Sequence, residues 1–357
     1  MWIFTAMLLS MPCGHATAPA QNNGFIDRLG PSVKNGGFSM DDYWVWGASV
    51  IRGDDGRYHM FASRWPRKYP FFAGYIFYSQ IVRAVADRPE GPFEFQEVVL
   101  KDRGADYWDG RMTHNPTIHK HGDTYMLFYI GSTYAGPGPS PEDLTKPFSP
   151  EVTSLKGRTY RRIRIGVATS KSPSGPWERK EEPVLLPRPG KWDDNVTTNP
   201  APCVADDGSI LLIYRSNARD VGTRLGVAKS EGLDKPFERI RDSYLDFHVE
   251  DPYIWWAGDH YEMIAKDQSG TLTGEFHAGV HAVSTDGIEW TMSQPPKAYS
   301  RTITWDDGTT SDLGSFERPQ LLIEDAKPVC LYSATADGPG GFVDMQRTWN
   351  VATPFKK

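Results

Sequence analysis

Alternating apolar and polar residues, interrupted by turns that contain Gly or Asp, recur along the chain and predict pairs of β-strands. In each pair the first strand opens with a small or polar residue, usually next to Pro, and the second strand is rich in aromatic or aliphatic residues. Such turns are typical of antiparallel hairpins. Five related β-units are therefore expected. Their first strands open at Gly47, Asn115, Asn199, Asp251 and Arg318.

A second pattern follows each of the first four pairs and predicts two more strands per unit. An alternating run leads to a turn, in most copies with Pro, and then to an aromatic residue, as in 82–93, 165–177, 225–237 and 280–290. Five copies of a four-stranded antiparallel unit describe a five-bladed β-propeller, because a single blade cannot bury both of its faces. The alternative is an irregular all-β domain whose copies resemble one another by chance.

No segment has the character of a domain boundary, so residues 21–357 are expected to form one propeller domain. Residues 21–40 form a polar lead-in, and the last residues are expected to complete blade five. Residues 134–160 contain a Pro-rich stretch and predict a long loop on blade two. Long loops in compact domains often carry function.

Residues 1–20 are interpreted as an export signal. Residues 2–11 form a short apolar run, and small residues at 16–20 offer a cleavage site. The run is too short to span a bilayer as a helix, and no later segment has the pattern of a membrane span. We therefore expect an exported protein, periplasmic or secreted, without membrane insertion.

Composition narrows the range of ligands. The 357 residues include 39 Lys or Arg and 45 Asp or Glu, a formal charge of −6, without the basic block that nucleic-acid binding requires. Aromatic residues reach 13%, including 12 Trp, which suits surfaces that stack on sugar rings. Cys203 and Cys330 are not part of a zinc motif, so no metal is expected and both are predicted to be buried apolar residues.

Residues that open the first strands of a propeller converge on its axis, so they are expected to share one cavity. Carboxylates, amides, arginines and aromatic rings at these positions suit sugar binding and glycosidic cleavage, which uses two carboxyl groups. The candidates for substrate binding are Trp46, Arg111, His114, Asn115, Asn199, Asp251 and Arg318. The candidates for catalysis are Asp42, Asp109, Glu250 and Glu317.

With these motifs the chain resembles the five-bladed propeller glycoside hydrolases, the clan that holds glycoside hydrolase families 43, 32, 62 and 117. The resemblance covers nearly the whole chain after residue 20 and implies a carbohydrate substrate. The motif Val249-Glu250-Asp251-Pro252-Tyr253 is similar to the one that carries the general acid in family 43, which implies this role for Glu250. Parts of the clan hold calcium in the central channel, so the resemblance allows a structural calcium ion. No other cofactor is expected.

Two further positions differ from family 43. Gly47 stands where the resemblance places the catalytic base, and Asn199 stands where it places the Asp that tunes the acid. The base must then come from elsewhere on the ring. Asp42 and Asp109 belong to blades one and two, which do not neighbour blade four, and they are the base candidates. Glu317, on the neighbouring blade five, is expected to raise the pKa of the acid.

Three catalytic candidates have two interpretations each. Asp42 and Asp109 activate water, or they accept hydrogen bonds in turns. Glu317 tunes the acid, or it holds Arg318 in a buried pair.

Four further candidates also have two interpretations each. His114 hydrogen-bonds a substrate hydroxyl or transfers a proton, or it is a structural histidine. Arg111 and Arg318 hold a carboxylate or sulfate of an acidic sugar, or they neutralise the acids of the cavity. Trp46 forms a wall of the sugar subsite, or it belongs to the core of blade one.

The sequence thus predicts an exported glycosidase that acts with inversion at chain ends. A glycoside phosphorylase is one alternative, in which Arg or His would hold phosphate in place of water. The other is a propeller that binds carbohydrate without catalysis, consistent with the Gly at position 47. Two carboxylates that face each other at about 6.5–9.5 Å would favour inversion.

Overall fold

The computed structural model describes residues 24–145, 148–218 and 222–357, and its sheets form the five-bladed β-propeller that the repeats predict. The first strand of each blade packs against the first strands of both neighbouring blades, which closes a ring around a central axis. The predicted export signal lies outside the described residues.

The blades follow one another in chain order. Blade one contains strands β1–β4: Tyr43–Arg52, Tyr58–Pro66, Gln80–Ala86 and Glu94–Val98. Blade two contains β5–β8: Met112–His121, Thr124–Ser132, Arg164–Ser170 and Glu178–Arg179. Blade three contains β9–β12: Thr198–Val204, Ile210–Ala218, Gly222–Ser230 and Glu238–Arg239. Blade four contains β13–β16: Val249–Trp256, Tyr261–Asp267, Gly279–Ser284 and Thr291–Tyr299.

A short hairpin leads from blade four into blade five. Its strands β17 and β18 are Thr302–Thr304 and Thr310–Asp312. Blade five contains β19–β21: Ser315–Glu324, Lys327–Ala336 and Thr348–Pro354. The α-helices α1 and α2 are Phe71–Tyr78 and Pro150–Arg161. Two 3₁₀ turns are Phe25–Arg28 and Gly341–Val343.

Each first strand bulges at the residue that marks the sequence repeat. The backbone φ at these five residues lies between 49° and 56°. The pairing with the second strand shifts register at the same places. Left-handed backbone is uncommon for residues other than Gly, and a bulge re-aims the side chains beside it. The residues that bulge at the axis are Gly47, Asn115, Asn199, Asp251 and Arg318.

Blade five has three strands of its own, and the N-terminal lead-in takes the fourth position. The N–H groups of Val33 and Phe38 donate to the carbonyls of Ala352 and Asn350, both at 3.0 Å, and Asn350 donates back to Phe38 at 2.9 Å. These bonds follow β21, so the lead-in and β21 close the ring together. The sequence predicted that the last residues complete blade five. It did not predict that the lead-in does so as well, because the lead-in has no alternating pattern.

The segment 134–160, expected as a long loop, ends in helix α2. Ser149 caps this helix by accepting a hydrogen bond from the N–H of Val152 at 3.2 Å. Phe148, Val152 and Leu155 recur at helical spacing and pack in one cluster with residues of α1. The two helices therefore stand together at the edge of the cavity described below.

The core lies between neighbouring blades, where apolar residues from both form shared clusters. Cys203 and Cys330 are buried free thiols in two of these clusters, as predicted. In the described ranges no helix is both long enough and apolar enough to cross a membrane.

Candidate active site

A cavity of about 340 Å³ opens on the propeller axis at the level of the five bulges. The first strands supply its acids and the amides of Asn115 and Asn199, and the second strands β10 and β14 supply two of its cations. Its polar and charged lining includes His114, Asn115, Asn199, Arg215, Glu250, Asp251, Lys266, His277, Glu317 and Arg318.

Four of the bulge residues form a chain of hydrogen bonds around the axis. Asn115 Nδ2 donates to Asn199 Oδ1 at 3.0 Å, and Asn199 Nδ2 donates to Asp251 Oδ1 at 2.5 Å. Arg318 Nη1 donates to the same Asp251 oxygen at 3.4 Å. The fifth bulge residue, Gly47, has no side chain. The chain of hydrogen bonds is therefore interrupted between Arg318 and Asn115.

Lys266 lies at the centre of the acidic residues. Its Nζ is 2.8 Å from Glu250 Oε2, 2.8 Å from Glu317 Oε2 and 4.0 Å from Asp251 Oδ2. Burial alone would lower the pKa of this lysine, but the three carboxyl groups outweigh burial and raise its pKa above the ordinary range. Lys266 therefore stays protonated near neutral pH, and its ammonium group holds the carboxyl groups of Glu250 and Glu317 together.

Glu250 is ionised in this arrangement. Its Oε1 lies 2.9 Å from Arg215 Nε, on the side away from Lys266. Burial opposes ionisation of Glu250, but Lys266 and Arg215 outweigh burial and lower its pKa to about 2. A carboxyl group with this pKa holds no proton near neutral pH. The surroundings of Glu250 thus favour its ionised form, whereas the role of general acid that the resemblance implies uses the protonated form.

The two other carboxyl groups shift in opposite directions. Burial, and then the charge of Glu250, raises the pKa of Asp251, and Glu317 adds to this rise. Burial would also raise the pKa of Glu317, but Lys266 and His277 outweigh it, and the pKa lies below its usual value. His277 Nδ1 is 3.2 Å from Glu317 Oε1. Asp251 is thus the acid of this group that keeps a proton most readily.

Glu250 and Glu317 are too close to act as the acid and base of an inverting pair. One oxygen of each lies 2.8 Å from the same lysine nitrogen, so these oxygens are separated by at most twice that distance. An inverting pair is about 6.5–9.5 Å apart, which leaves room for water. Here Lys266 lies between the two carboxylates.

His114 is a neutral group in the cavity wall. Its Nδ1 lies 2.8 Å from Ser79 Oγ, and the ring of Tyr75 stacks on it with centroids 5.0 Å apart. Burial, and then the charge of Arg318, lowers the pKa of His114 to about 3. A histidine with this pKa does not carry a proton near neutral pH. Hydrogen bonding to a substrate remains the catalytically relevant role that the geometry permits.

An aromatic wall borders the cavity. Trp46 packs edge-on against Phe71, with ring centroids 5.0 Å apart, and lies 5.6 Å from the ring of Phe342. Trp46 lines the cavity and is also part of a buried aromatic cluster, so its position agrees with both interpretations, and contact with a sugar stays a prediction. Trp44 belongs to the same cluster but not to the lining, and its Nε1 donates to the carbonyl of Tyr69 at 2.8 Å.

Asp109 lies inside blade two and not in the cavity. It is fully buried, with Arg103 Nη2 at 2.6 Å, Arg179 Nη1 at 3.3 Å and the hydroxyl of Tyr129 donating at 2.5 Å. Asp193 has the same surroundings in blade three, between two arginines and a tyrosine. The Trp-Asp repeat of the sequence is therefore a structural motif. The expectation that Asp109 serves as the base is corrected, because it has no access to a substrate.

Asp42 and Arg111 also lie outside the cavity. Asp42 is exposed on the surface. Arg111 is paired with Asp102, at 3.2 Å, and does not line the cavity. Among the described residues, the first strands contribute only the bulge residues and their direct neighbours to the lining of this cavity, and Asp42 and Arg111 stand farther from a bulge. Neither the base role of Asp42 nor the substrate contact of Arg111 fits this placement.

Sequence reasoning missed the two cations that come from the second strands. Arg215 and Lys266 lie opposite Thr198 and Glu250 in the strand pairing, at corresponding positions of blades three and four. Each is a single cation in a strand that is otherwise mainly apolar. A charged side chain in such a strand needs a partner of opposite charge. The two isolated cations were therefore the sequence signal that could have placed Arg215 and Lys266 beside the acids.

The axis does not suit the calcium ion that the resemblance allows. Calcium takes six to eight oxygen ligands and favours carboxylates. The axial side chains here are two amides, the carboxyl of Asp251 and the guanidinium of Arg318, which is already bonded to that carboxyl. A buried guanidinium repels a cation. Across 24–145, 148–218 and 222–357, no group of three or more His, Cys, Asp or Glu is arranged to hold a metal ion.

The fold is shared with solved glycoside hydrolases. Zg3597, a family 117 glycoside hydrolase of the marine bacterium Zobellia galactanivorans, matches with a TM-score of 0.63 and 13% identity over 93% of this chain and 92% of its own. A second structure, described as a glycoside hydrolase, matches with a TM-score of 0.64 and 14% identity, over 92% of both proteins. A thermostable family-43 glycoside hydrolase matches with a TM-score of 0.58 and 11% identity, over 88% of this chain and 89% of its own.

These likenesses define the class of fold: a five-bladed propeller like those of glycoside hydrolase families 43 and 117. They confirm the architecture that the sequence motifs indicated. No protein-family profile and no curated protein matches the sequence itself. The chain therefore has this fold with a divergent sequence, and its chemistry depends on the residues of its own cavity.

Proposed function

We propose that the protein hydrolyses glycosidic bonds and that the axial cavity is its active site. The observation that carries this proposal is that Lys266 gathers three carboxyl groups, those of Glu250, Asp251 and Glu317, in the axial cavity beside an aromatic wall. The lowered pKa of Glu250 and the raised pKa of Asp251 agree with it. Titratable groups whose surroundings separate their pKa values mark acid and base. The fold shared with solved glycoside hydrolases supports the proposal, and the predicted export signal supports action on glycans outside the cytoplasm.

In this proposal Asp251 gives its proton to the glycosidic oxygen as the bond to the anomeric carbon breaks. Glu250, held ionised by Lys266 and Arg215, takes a proton from the water that adds to the same carbon. A base that acts directly on water inverts the anomeric carbon. Glu250 Oε2 and Asp251 Oδ2 lie 2.8 and 4.0 Å from Lys266 Nζ, so they are separated by at most the sum of these distances, which just reaches the lower end of the range of about 6.5–9.5 Å for inverting pairs. Glu317 holds Lys266 in place and, together with Glu250, favours the protonated form of Asp251.

The cavity favours the end of a sugar chain. Its volume lies near the lower limit of ligand pockets, which range from about 300 to 1,000 Å³. The hydrogen-bonded bulge residues form its floor, and the rings of Trp46, Phe71 and Phe342 form one side. A terminal sugar fits with one face against these rings. We therefore propose exo action.

A leaving-group series on aryl glycosides tests the two roles. Asp251→Asn is expected to lose about 10²–10⁴ in rate on a poor leaving group and far less on dinitrophenolate, which needs no proton. Glu250→Gln is expected to lose activity on both. Azide is expected to restore turnover of Glu250→Ala, because a small anion replaces the activated water.

The opposite pattern would show that Glu250 is the acid. In that pattern a good leaving group restores the rate of Glu250→Gln, and Asp251→Asn loses activity on all substrates. If both variants keep wild-type rates, the cavity is not the active site. Circular dichroism and melting curves of each variant establish that any loss is not a loss of fold.

A further inference from the structure

The buried guanidinium of Arg318 has two N–H groups without partners in the part of the chain that the structure describes. Arg318 is 1% exposed and lines the cavity. Its Nη1 bonds to Asp251, whereas Nε and Nη2 have no acceptor. A buried donor without an acceptor is unfavourable, and in native proteins such a group calls for a water, an ion or a ligand.

The space in front of Nε and Nη2 is open because Gly47 has no side chain. Nε and Nη2 form one edge of the guanidinium, the edge that receives a carboxylate through two parallel hydrogen bonds. A Cβ atom at residue 47 would lie 3.8 Å from Arg318 Nε and 3.6 Å from Asn115 Oδ1, with nothing closer. The other four bulge residues carry side chains at the same φ, so the backbone does not require Gly there. Gly47 therefore leaves an open place opposite a cation.

The charges around the cavity leave this cation poorly compensated. Lys266 and Arg215 are paired with ionised carboxylates on blades four and five. The carboxyl that contacts Arg318 is that of Asp251, whose pKa is raised, so it opposes the guanidinium charge less than an ordinary aspartate does. An anionic group of the ligand restores the balance.

Asn115 narrows the chemistry of that group. Its Nδ2 donates to Asn199, which donates in turn to Asp251, so the network turns Asn115 Oδ1 toward the open place. Oδ1 has no donor partner among the described residues. The place thus offers two donors and one acceptor. A carboxylate with a neighbouring hydroxyl matches this set, whereas a sulfate group offers only acceptors and sets an oxygen against Oδ1.

We propose that the place between Arg318, Gly47 and Asn115 binds the carboxylate of a uronic acid at the end of the substrate chain. The carboxylate lies on the free edge of Arg318, and a hydroxyl of the same sugar donates to Asn115. This inference rests on the proposed hydrolysis of glycosides and names its substrate class.

Isothermal titration calorimetry tests the inference without relying on catalysis. The ligands are the methyl glycosides of glucuronic and galacturonic acid and, for comparison, of glucose and galactose. Wild-type protein is expected to bind a uronate at least about tenfold more tightly than its neutral counterpart, because a charge-assisted bidentate contact is strong. Gly47→Asp places a carboxylate on Arg318 and is expected to reverse this preference.

Gly47→Asn is the matched control. It fills the same space without a charge, and Asn tolerates left-handed backbone as well as Asp does. It is expected to abolish the uronate preference without reversing it, because the amide occupies the place of the carboxylate but carries no charge that repels it. Melting curves of the two variants establish that both are folded. A uronate preference that Gly47→Asp leaves unchanged overturns the inference.

The remaining outcomes separate this inference from the proposed function. Equal affinity of wild-type protein for uronates and neutral sugars overturns it, as does binding of inorganic phosphate or of a sulfated sugar in place of uronate. Phosphate binding points to phosphorolysis. If the protein hydrolyses neutral glycosides only, the proposed function stands and the uronate inference is wrong. If it binds uronates but cleaves no uronoside, the binding site stands and the proposed hydrolysis is wrong.

Discussion

Lys266 and Glu250 are direct cross-strand neighbours in the pairing of β13 with β14, and their charged groups form an ion pair of 2.8 Å in the cavity. Arg215 stands at the corresponding position of blade three and contacts the other oxygen of Glu250. The second strands thus supply two cations, Lys266 and Arg215, that pair with an acid of a first strand. The cations determine which acid is ionised.

Replacement of Lys266 by Met is expected to raise the pKa of Glu250, because a main counter-charge is gone. The acidic limb of the pH–rate profile then moves to higher pH, since the base must be ionised. The free energy of unfolding is expected to fall by about 3–5 kcal/mol, as for a broken buried ion pair. Lys266→Arg is the control and keeps both properties closer to wild type. An unchanged acidic limb in Lys266→Met contradicts the role given to this lysine.

The same ion pairs make stability depend on pH. The pKa of Glu250 falls from an ordinary 4.5 to about 2 on folding, so its contribution is fully present above 4.5. This contribution is lost as pH falls from 4.5 toward 2.

Asp109→Asn is expected to lower stability without affecting catalysis. The change removes the charge between Arg103 and Arg179 in a fully buried site, and such losses cost about 3–5 kcal/mol. Denaturant unfolding measures the loss, and kcat/KM of the folded variant stays near wild type. Asp42→Asn, at an exposed position, is the control and changes stability by less than about 0.5 kcal/mol. A hundredfold loss of kcat/KM in either variant would make that residue a base candidate again.

Trp46 and Trp44 offer a matched pair in one aromatic cluster. Trp46→Ala removes part of the cavity wall, so substrate affinity is expected to fall. Trp44→Ala removes only core packing and the bond to Tyr69, so it is expected to cost about 3–5 kcal/mol of stability with unchanged affinity. Calorimetric binding and melting curves of both variants provide the comparison. Equal affinities of the two variants contradict a sugar subsite at Trp46.

His114 is expected to remain neutral across physiological pH. Its pKa is about 3 instead of an ordinary 6.5, because burial and then Arg318 oppose its protonation. The unfolded chain binds this proton below pH 6.5 and the folded chain does not, so stability falls as pH drops from 6.5 toward 3. NMR of the imidazole resonances checks this. A midpoint near 6.5 contradicts the buried, neutral state.

The fold could be predicted from sequence because each blade repeats the same local pattern. Gly47, Asn115, Asn199, Asp251 and Arg318 marked the copies correctly, since a bulge at a fixed place favours small or polar residues, which precede Pro in all copies except the first. The N-terminal strand position of blade five could not be predicted. Residues 29–38 pair through the backbone, and backbone pairing leaves little trace in the side chains.

The candidate site could be predicted only where it depends on the first strands. Asn199, Asp251 and Glu317 were placed correctly, because bulge residues and their neighbours face the axis. Asp109 was misjudged, since its motif also serves a buried ion-pair cluster. The charge state of Glu250 depends on Lys266, which is near in space but belongs to another strand. Proximity across strands is not visible from spacing alone.

Release of reducing sugar from a panel of glycans in phosphate-free buffer tests the central claim most directly. The panel includes chains that end in a uronic acid, and NMR follows the anomeric form of the product. Wild-type protein is predicted to release a terminal sugar of inverted configuration, and the double variant Glu250→Gln/Asp251→Asn to release none while remaining folded. Binding without release by wild-type protein, or equal release by the double variant, would contradict the account.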